Sequence, residues 1–96
     1  MNVFEITDKT GRQIRLTQER WTHITTKHPD VSDKTEEIKL ALTKPVLLTL
    51  QKFDNTKGNY YRYYKTQKDY LLVVVKYLNG KGYIATAFFT RKIRRA

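Results

Sequence analysis

The chain contains no cysteine, so neither a disulfide framework nor a thiolate metal site can belong to it. Proline occurs twice and glycine four times in 96 residues, too sparsely for a fibrous or linker-like segment. The longest apolar run, residues 71–75, is far short of a bilayer span, and the N-terminus lacks the basic-then-apolar pattern of a secretory signal. A cytoplasmic location without membrane attachment is expected. Acidic side chains are scarce as well: 9 Asp and Glu stand against 19 Lys and Arg, for a net charge of +10. What is present, 40% hydrophobic and 12% aromatic residues, suffices for one compact two-layer core in a single domain covering residues 1–96.

The charge is unevenly spread. Residues 1–37 carry 6 basic and 7 acidic side chains and residues 38–96 carry 13 and 2, so the positive field belongs to the second part. A face of that density attracts polyanions, either nucleic acid through counterion release or an anionic membrane surface. The basic part reads as strand, which disfavours an amphipathic helical anchor. A solvated face tuned for solubility is the bland alternative.

Asn2–Thr7 alternates apolar and polar residues, and Gly11 separates it from a second alternating piece, residues 12–16; the two predict a short N-terminal hairpin or arm. Thr17 is a candidate N-cap, with Leu16 and Trp21 as a hydrophobic staple, for a helix over Gln18–Lys27. His28 precedes Pro29, which biases it out of helical geometry. A second helix is expected from Ser32 or Asp33, where Asp33 and Glu36 stand at capping-box spacing. It presents Ile38, Ala41 and Leu42 and stops at Pro45.

From Val46 the period changes to two, in four runs over residues 46–53, 60–66, 70–78 and 83–90. Turn residues separate them: Asp54, Asn55, Gly58 and Asn59, then residues 67–69, then Asn79-Gly80-Lys81-Gly82. The expected fold is α+β: two N-terminal helices packed on one face of a four-stranded antiparallel meander, the other face open, with the short hairpin or arm in front. No internal repeat or low-complexity segment is visible, and Arg91-Lys92-Ile93-Arg94-Arg95 forms a basic strand extension or arm.

Only two histidines occur, His23 and His28. Five residues are about 500° of helical rotation, so they do not share a face as ligands at i and i+4 would. With no cysteine and no clustered carboxylate, neither a metal site nor a cofactor is expected. His23 points away from the stripe of Trp21 and Ile24, toward solvent or a cleft. His28 also suits a helix C-terminus as a cap. Lys76 is the one charge following the apolar run 71–75, and its plain alternative is a strand leaving the sheet so that the ammonium reaches water. Arg62 and Tyr64 fall on the side opposite Tyr61, Tyr63 and Lys65, while Thr86 and Thr90 share a side with Ile84 and Phe88. Whether Lys76 shares a face with Thr86 depends on the hairpin between them: a two- or four-residue loop separates them, and a three-residue bulged loop unites them.

The tyrosine cluster Tyr60-Tyr61-Arg62-Tyr63-Tyr64 interleaves stacking surfaces with a cation, which suits the unstacked bases of single-stranded RNA. Strand-borne carboxylates are nearly absent, which argues against metal-assisted hydrolysis and paired-carboxylate chemistry. RNA carries its own nucleophile. Cleavage then needs a group to take the 2′-OH proton, a group to protonate the leaving 5′-oxygen, and donors for the charged phosphorane. Imidazoles can fill the proton roles, and Lys76, Arg62 and a threonine hydroxyl the rest. DNA, lacking the 2′-OH, is not expected to be cut.

The run LTQERWTHITTKHPD, the proline-ended second helix, the VVVK strand and the closing YIATAFFT with its basic tail resemble the phage-associated nucleases of the barnase, EndoU, colicin and RelE-like superfamily, over about residues 12–95. The resemblance implies a small metal-independent endoribonuclease that yields a 2′,3′-cyclic phosphate and a 5′-hydroxyl. It further implies a role as a toxin or mobile-element effector, with an acidic antitoxin or immunity protein as partner. It marks His23, His28, Lys76 and Thr90 as catalytic, Lys76 being the phosphate-stabilising cation, and Arg62, Tyr64, Thr86 and Arg91 as substrate contacts. The competing reading is a non-catalytic RNA-binding or protein-interaction module on the same basic, tyrosine-rich sheet.

Overall fold

The structure, a computed structural model, describes residues 1–93. The chain runs β1 (Asn2–Thr7), β2 (Gln13–Thr17), α1 (Gln18–Lys27), a 3₁₀ turn (Pro29–Val31), α2 (Thr35–Thr43), β3 (Leu47–Gln51), β4 (Asp54–Tyr64), β5 (Asp69–Leu78) and β6 (Lys81–Thr90). All six strands lie in one sheet, in the order β1-β2-β6-β5-β4-β3. Neighbours are antiparallel except β2 and β6, which run parallel through Gln13↔Lys81, Ile14↔Gly82 and Arg15↔Tyr83.

This corrects the expected architecture. The sheet is six-stranded and mixed, not a four-stranded antiparallel meander, and the N-terminal hairpin is part of it instead of an arm before it. Burial supplies the reason. Ile14 and Leu16 of β2 are fully buried, and the edge of β6 offers the backbone partners that a buried strand requires. Gly82 permits the approach, since a Cβ there would stand 2.8 Å from the Lys76 carbonyl oxygen and 3.0 Å from Ile14 Cδ1.

Local rules hold for α1. Thr17 Oγ1 accepts from the Arg20 N–H at 3.1 Å, and His28 leaves helical geometry at φ −132° and ψ 73° before Pro29. The second helix begins later than expected, at Thr35, with Lys34 at its N-cap and no side-chain cap; Asp33 lies before it, its carboxylate 3.2 Å from Lys34 Nζ. β4 takes up Asp54, Asn55, Gly58 and Asn59, expected as turn residues: Gly58 and Asn59 pair with both β3 and β5, whose ladder reaches Lys57↔Lys76, and Asp54 pairs with Gln51 of β3. The basic tail is described only as far as Ile93; Arg94 and Arg95 lie outside the described residues.

One sheet face carries Tyr60, Leu71, Val73, Val75, Ile84 and Ala87, buried against Val31, Ile38, Ala41 and Leu42 of the 3₁₀ turn and α2. On the opposite face a smaller cluster of Tyr61, Leu72 and Val74 is covered by no helix residue; Leu47, Tyr70, Phe88 and Ile93 pack against it. We call this the open face. Among the described residues no helix is long and apolar enough to cross a membrane.

A buried polar pin fixes the β1–β2 turn. Asp8 is 5% exposed. Its Oδ1 accepts from the Thr10 and Arg12 N–H groups at 3.0 and 2.9 Å and from the Thr10 hydroxyl at 2.7 Å. Its Oδ2 accepts from the Tyr60 hydroxyl, which lies 2.8 Å from the Tyr77 hydroxyl. Tyr77 lies over Gly58, where a Cβ would come within 2.7 Å of its ring. The Lys9 N–H donates to the Leu42 carbonyl at 3.0 Å, tying the same turn to α2.

Burial first, and then the bond to Asp8, push the Tyr60 phenol well above its ordinary value. The folded chain keeps that proton at a pH where the unfolded chain loses it. The contribution is therefore complete below about pH 10 and declines as pH rises beyond it, by about 1.4 kcal/mol per pH unit for one proton. Tyr60→Phe should destabilise the fold by about 1–3 kcal/mol. The denaturant midpoint should fall with an unchanged slope, and the alkaline loss should become shallower; an unchanged midpoint would show that the pin carries no stability.

Candidate functional site

The site follows from where β2 stops. Its pairing with β6 ends at Arg15↔Tyr83, Leu16 turns into the core, and Thr17 caps a helix that continues in the direction of β2. α1 therefore takes the place of a strand beside the second half of β6. Ile24, 2% exposed, anchors it to the core. Thr22, Thr25 and Thr26 donate their hydroxyls back to carbonyls of the preceding turn, at 2.7–3.0 Å, which satisfies a helix unusually rich in threonine.

The facing strand is set by a β-bulge. The hairpin is closed by Asn79 and Gly80, with Gly80 at φ +63°. A two-residue loop alone would put Lys76 and Thr86 on opposite faces. Instead the register shifts at Ala85, so that Val75 pairs with Ile84 but Val74 pairs with Thr86. From there Thr86, Phe88 and Thr90 stand on the open face, opposite Val74, Leu72 and Tyr70, while Ala87 and Phe89 join the helix-covered core. Ile84, expected beside Thr86, goes to that core as well.

Between α1 and the bulge lies a groove of about 180 Å³ lined by Arg20, His23, Ile24, Lys27, Ala85 and Thr86. Arg20, His23 and Lys27, at i, i+3 and i+7, form one stripe of the helix. All three are exposed. No carboxylate lines the groove, and none of the three makes a salt bridge among the described residues. Ala85 keeps the floor shallow, and Thr86 supplies a hydroxyl.

His28 joins the same side of the sheet. Continued helix would carry its ring away from His23, but its non-helical backbone turns the ring onto Phe88, with centroids 5.2 Å apart and planes at 27°. Phe88 is two residues beyond Thr86 on the open face. His23 thus meets Thr86 across the groove and His28 meets Phe88, two residues further along β6.

The remaining expected residues are dispersed. Lys76 is on the open face, a diagonal neighbour of Thr86 at about 7–8 Å. Its ammonium is turned toward β4, donating to the Thr56 hydroxyl and lying 3.8 Å from Asp54 Oδ2. Thr90 shares the face but commits its hydroxyl to a turn, 3.3 Å from both the N–H and the carbonyl of Lys92. Arg91 is exposed in that turn. Arg62 and Tyr64 are on the helix-covered side: Arg62 Nη1 donates to the Lys44 carbonyl at 2.8 Å, closing the end of α2, and Tyr64 packs edge-on against Phe89. Burial raises the Tyr64 phenol, with Glu37 adding to the effect.

Asp54 is the carboxylate that draws Lys76 aside. Hydrogen bonds from the Thr56 hydroxyl and N–H hold it below its ordinary value, with Lys76 and Lys57 contributing. That hold persists above about pH 3.8 and is lost as pH falls through the lower value of the folded protein.

Two groove residues, Arg20 and Lys27, are absent from the sequence expectation. Their spacing about His23 was the available sign, since three and four residues either side of a histidine share its helical face. No three His, Asp or Glu side chains cluster to hold a metal among the described residues. No family model matches this chain, and no curated protein or solved structure matches it either.

Three polar side chains of positive or titratable character around a hydroxyl make an anion site. Inorganic phosphate, followed by NMR, should shift the amides of residues 20–27 and Thr86 and the His23 ring. The double substitution Arg20→Gln with Lys27→Gln should abolish these shifts. Changes spread evenly over the basic surface would mean that the groove is not the binding point.

Proposed function

We propose that this domain is a metal-independent endoribonuclease that holds a phosphodiester of single-stranded RNA in the groove between α1 and β6. The observation that carries the reading is the stripe Arg20–His23–Lys27 facing Thr86, cationic, titratable and free of carboxylates. In the reaction the 2′-oxygen bonds to phosphorus and its proton passes to one imidazole. The bond from phosphorus to the 5′-oxygen breaks, and that oxygen takes a proton from a second group. The products are a 2′,3′-cyclic phosphate and a 5′-hydroxyl.

In-line displacement needs proton acceptor and donor on opposite sides of phosphorus, each within about 3 Å of its oxygen. His23 lines the groove, and His28, turned out of the helix onto Phe88, stands beside it on the same side of the sheet. His23 and His28 divide the two roles, Arg20 and Lys27 neutralise the phosphorane, and Thr86 donates to a non-bridging oxygen. Lys76 supplies long-range attraction in this scheme, since Asp54 engages its ammonium. A cytoplasmic location and an acidic antitoxin or immunity protein as partner belong to the same proposal, motivated by the net charge of +10.

A non-catalytic RNA-binding module is favoured by one observation: His28 is stacked on Phe88, as a purely structural ring would be. The two readings part on product analysis. His23→Ala should lower cleavage by about 10² or more while the unfolding midpoint holds, His28→Ala should also lower it, and chelator should have no effect. DNA of the same sequence should bind and remain intact. Wild-type rates in both histidine variants, or activity restored to a chelated enzyme only by magnesium, would overturn the mechanism. RNA retarded on a gel with its ends unchanged would leave the binding module.

A further inference from the structure

The tyrosine cluster that looks continuous in sequence is divided by the sheet. Tyr60 and Tyr64 face the helices and Tyr61 is fully buried, which leaves Tyr63, 42% exposed. Its cross-strand partner on the open face is Tyr70, with ring centroids 5.1 Å apart and planes inclined by 58°. Tyr70 in turn pairs with Thr90, after which Arg91 and Lys92 are exposed. An exposed Tyr63 backed by the half-buried Tyr70, with two cations following Thr90 in sequence, thus occupies the end of the open face away from the groove.

The spacing is fixed by the register. Thr86 is opposite Val74, and Tyr70 is four residues along β5, about 13 Å; Tyr63 is two strands over from β6, about 10 Å. The diagonal from Thr86 to Tyr63 is therefore roughly 16 Å. That is about five steps of a stacked strand at about 3.4 Å each, and fewer of an extended one. Ile93 packs against the apolar middle of the face, and Arg91 and Lys92 are exposed just before it in the chain.

We infer that Tyr63 and Tyr70 form a second subsite that stacks an unpaired base two to five nucleotides from the phosphate held in the groove, so that the preferred ligand is an RNA single strand longer than a dinucleotide. This rests on the proposed ribonuclease reading and adds a length requirement to it. Duplex RNA cannot use the platform, because its bases are already stacked and their faces hidden.

The test uses the full chain with 2′-O-methyl oligonucleotides, which lack the nucleophile and stay intact, and reads dissociation constants for an octanucleotide and a dinucleotide. Tyr63→Ala should weaken the octanucleotide about tenfold and leave the dinucleotide unchanged, and Tyr63→Phe should restore the octanucleotide to within twofold. Equal effects on both lengths, or none, would overturn the subsite while leaving the groove reading intact. Failure of the unsubstituted protein to bind the octanucleotide at all would overturn both. Tyr63 is exposed, so an unchanged unfolding midpoint is expected and should be confirmed for each variant.

Discussion

A side-chain period of two means that one inserted residue turns every later side chain of a strand to the other face, and in β6 that residue is Ala85. Without the bulge, Ala85, Ala87 and Phe89 would look out across the open face, and Thr86, Phe88 and Thr90 would enter the core under the helices. The insertion reverses this, sending Ala87 and Phe89 into a core that already holds Val73 and Leu71 opposite them. It also places the small Ala85 beside α1, where a groove can form, and gives His28 an aromatic ring to lie on. Bulges are common beside functional sites because they re-aim side chains in this manner.

Cations on this molecule are of two kinds. Lys57 and Lys76 converge on Asp54, and Lys39 pairs with Glu36, so part of their field is cancelled at source. Arg20 and Lys27 have no acidic partner among the described residues and stand together over one concave surface. A low-dielectric wall on one side, formed by Ile24 and the sheet, concentrates the potential there. Net charge therefore indicates attraction to polyanions, whereas the groove indicates where an anion would come to rest. For a single strand each neutralised phosphate should add about 0.7 to the slope of log affinity against log salt.

Elements governed by near neighbours were legible: the Thr17 cap, the helix it starts, its end before Pro29, and the strand character of most of residues 47–51, 60–64, 70–78 and 83–90. The parallel pairing of β2 with β6 was not, because three residue pairs between segments almost seventy positions apart leave no local pattern. Nor was the register of Lys76 and Thr86, since Asn79-Gly80-Lys81-Gly82 admits loops of two, three or four residues and the bulge at Ala85 leaves no local sign. His23 was read toward solvent or a cleft and lines the groove with Thr86. Arg62 and Tyr64 were assigned to one side of their strand correctly, yet which side the helices would cover depended on β5 and β6. The capping box of Asp33 and Glu36 does not form: α2 begins at Thr35 with Lys34 at its N-cap, and Glu36 pairs with Lys39.

The groove's geometry traces back to residues remote from it. α1 is held beside β6 by Ile24, but its starting point is the end of β2, and β2 is held in parallel register by the hairpin it makes with β1. That hairpin is closed by Asp8, whose carboxylate is surrounded by two backbone donors, the Thr10 hydroxyl and Tyr60. A buried carboxylate left without one of those donors would carry an unsatisfied polar group, loosening the turn. Tyr60 thus belongs to the tyrosine cluster in sequence and to the foundations of α1 in space. Its hydroxyl helps to close the hairpin that holds β2, and from the end of β2 starts the helix that carries Arg20, His23 and Lys27.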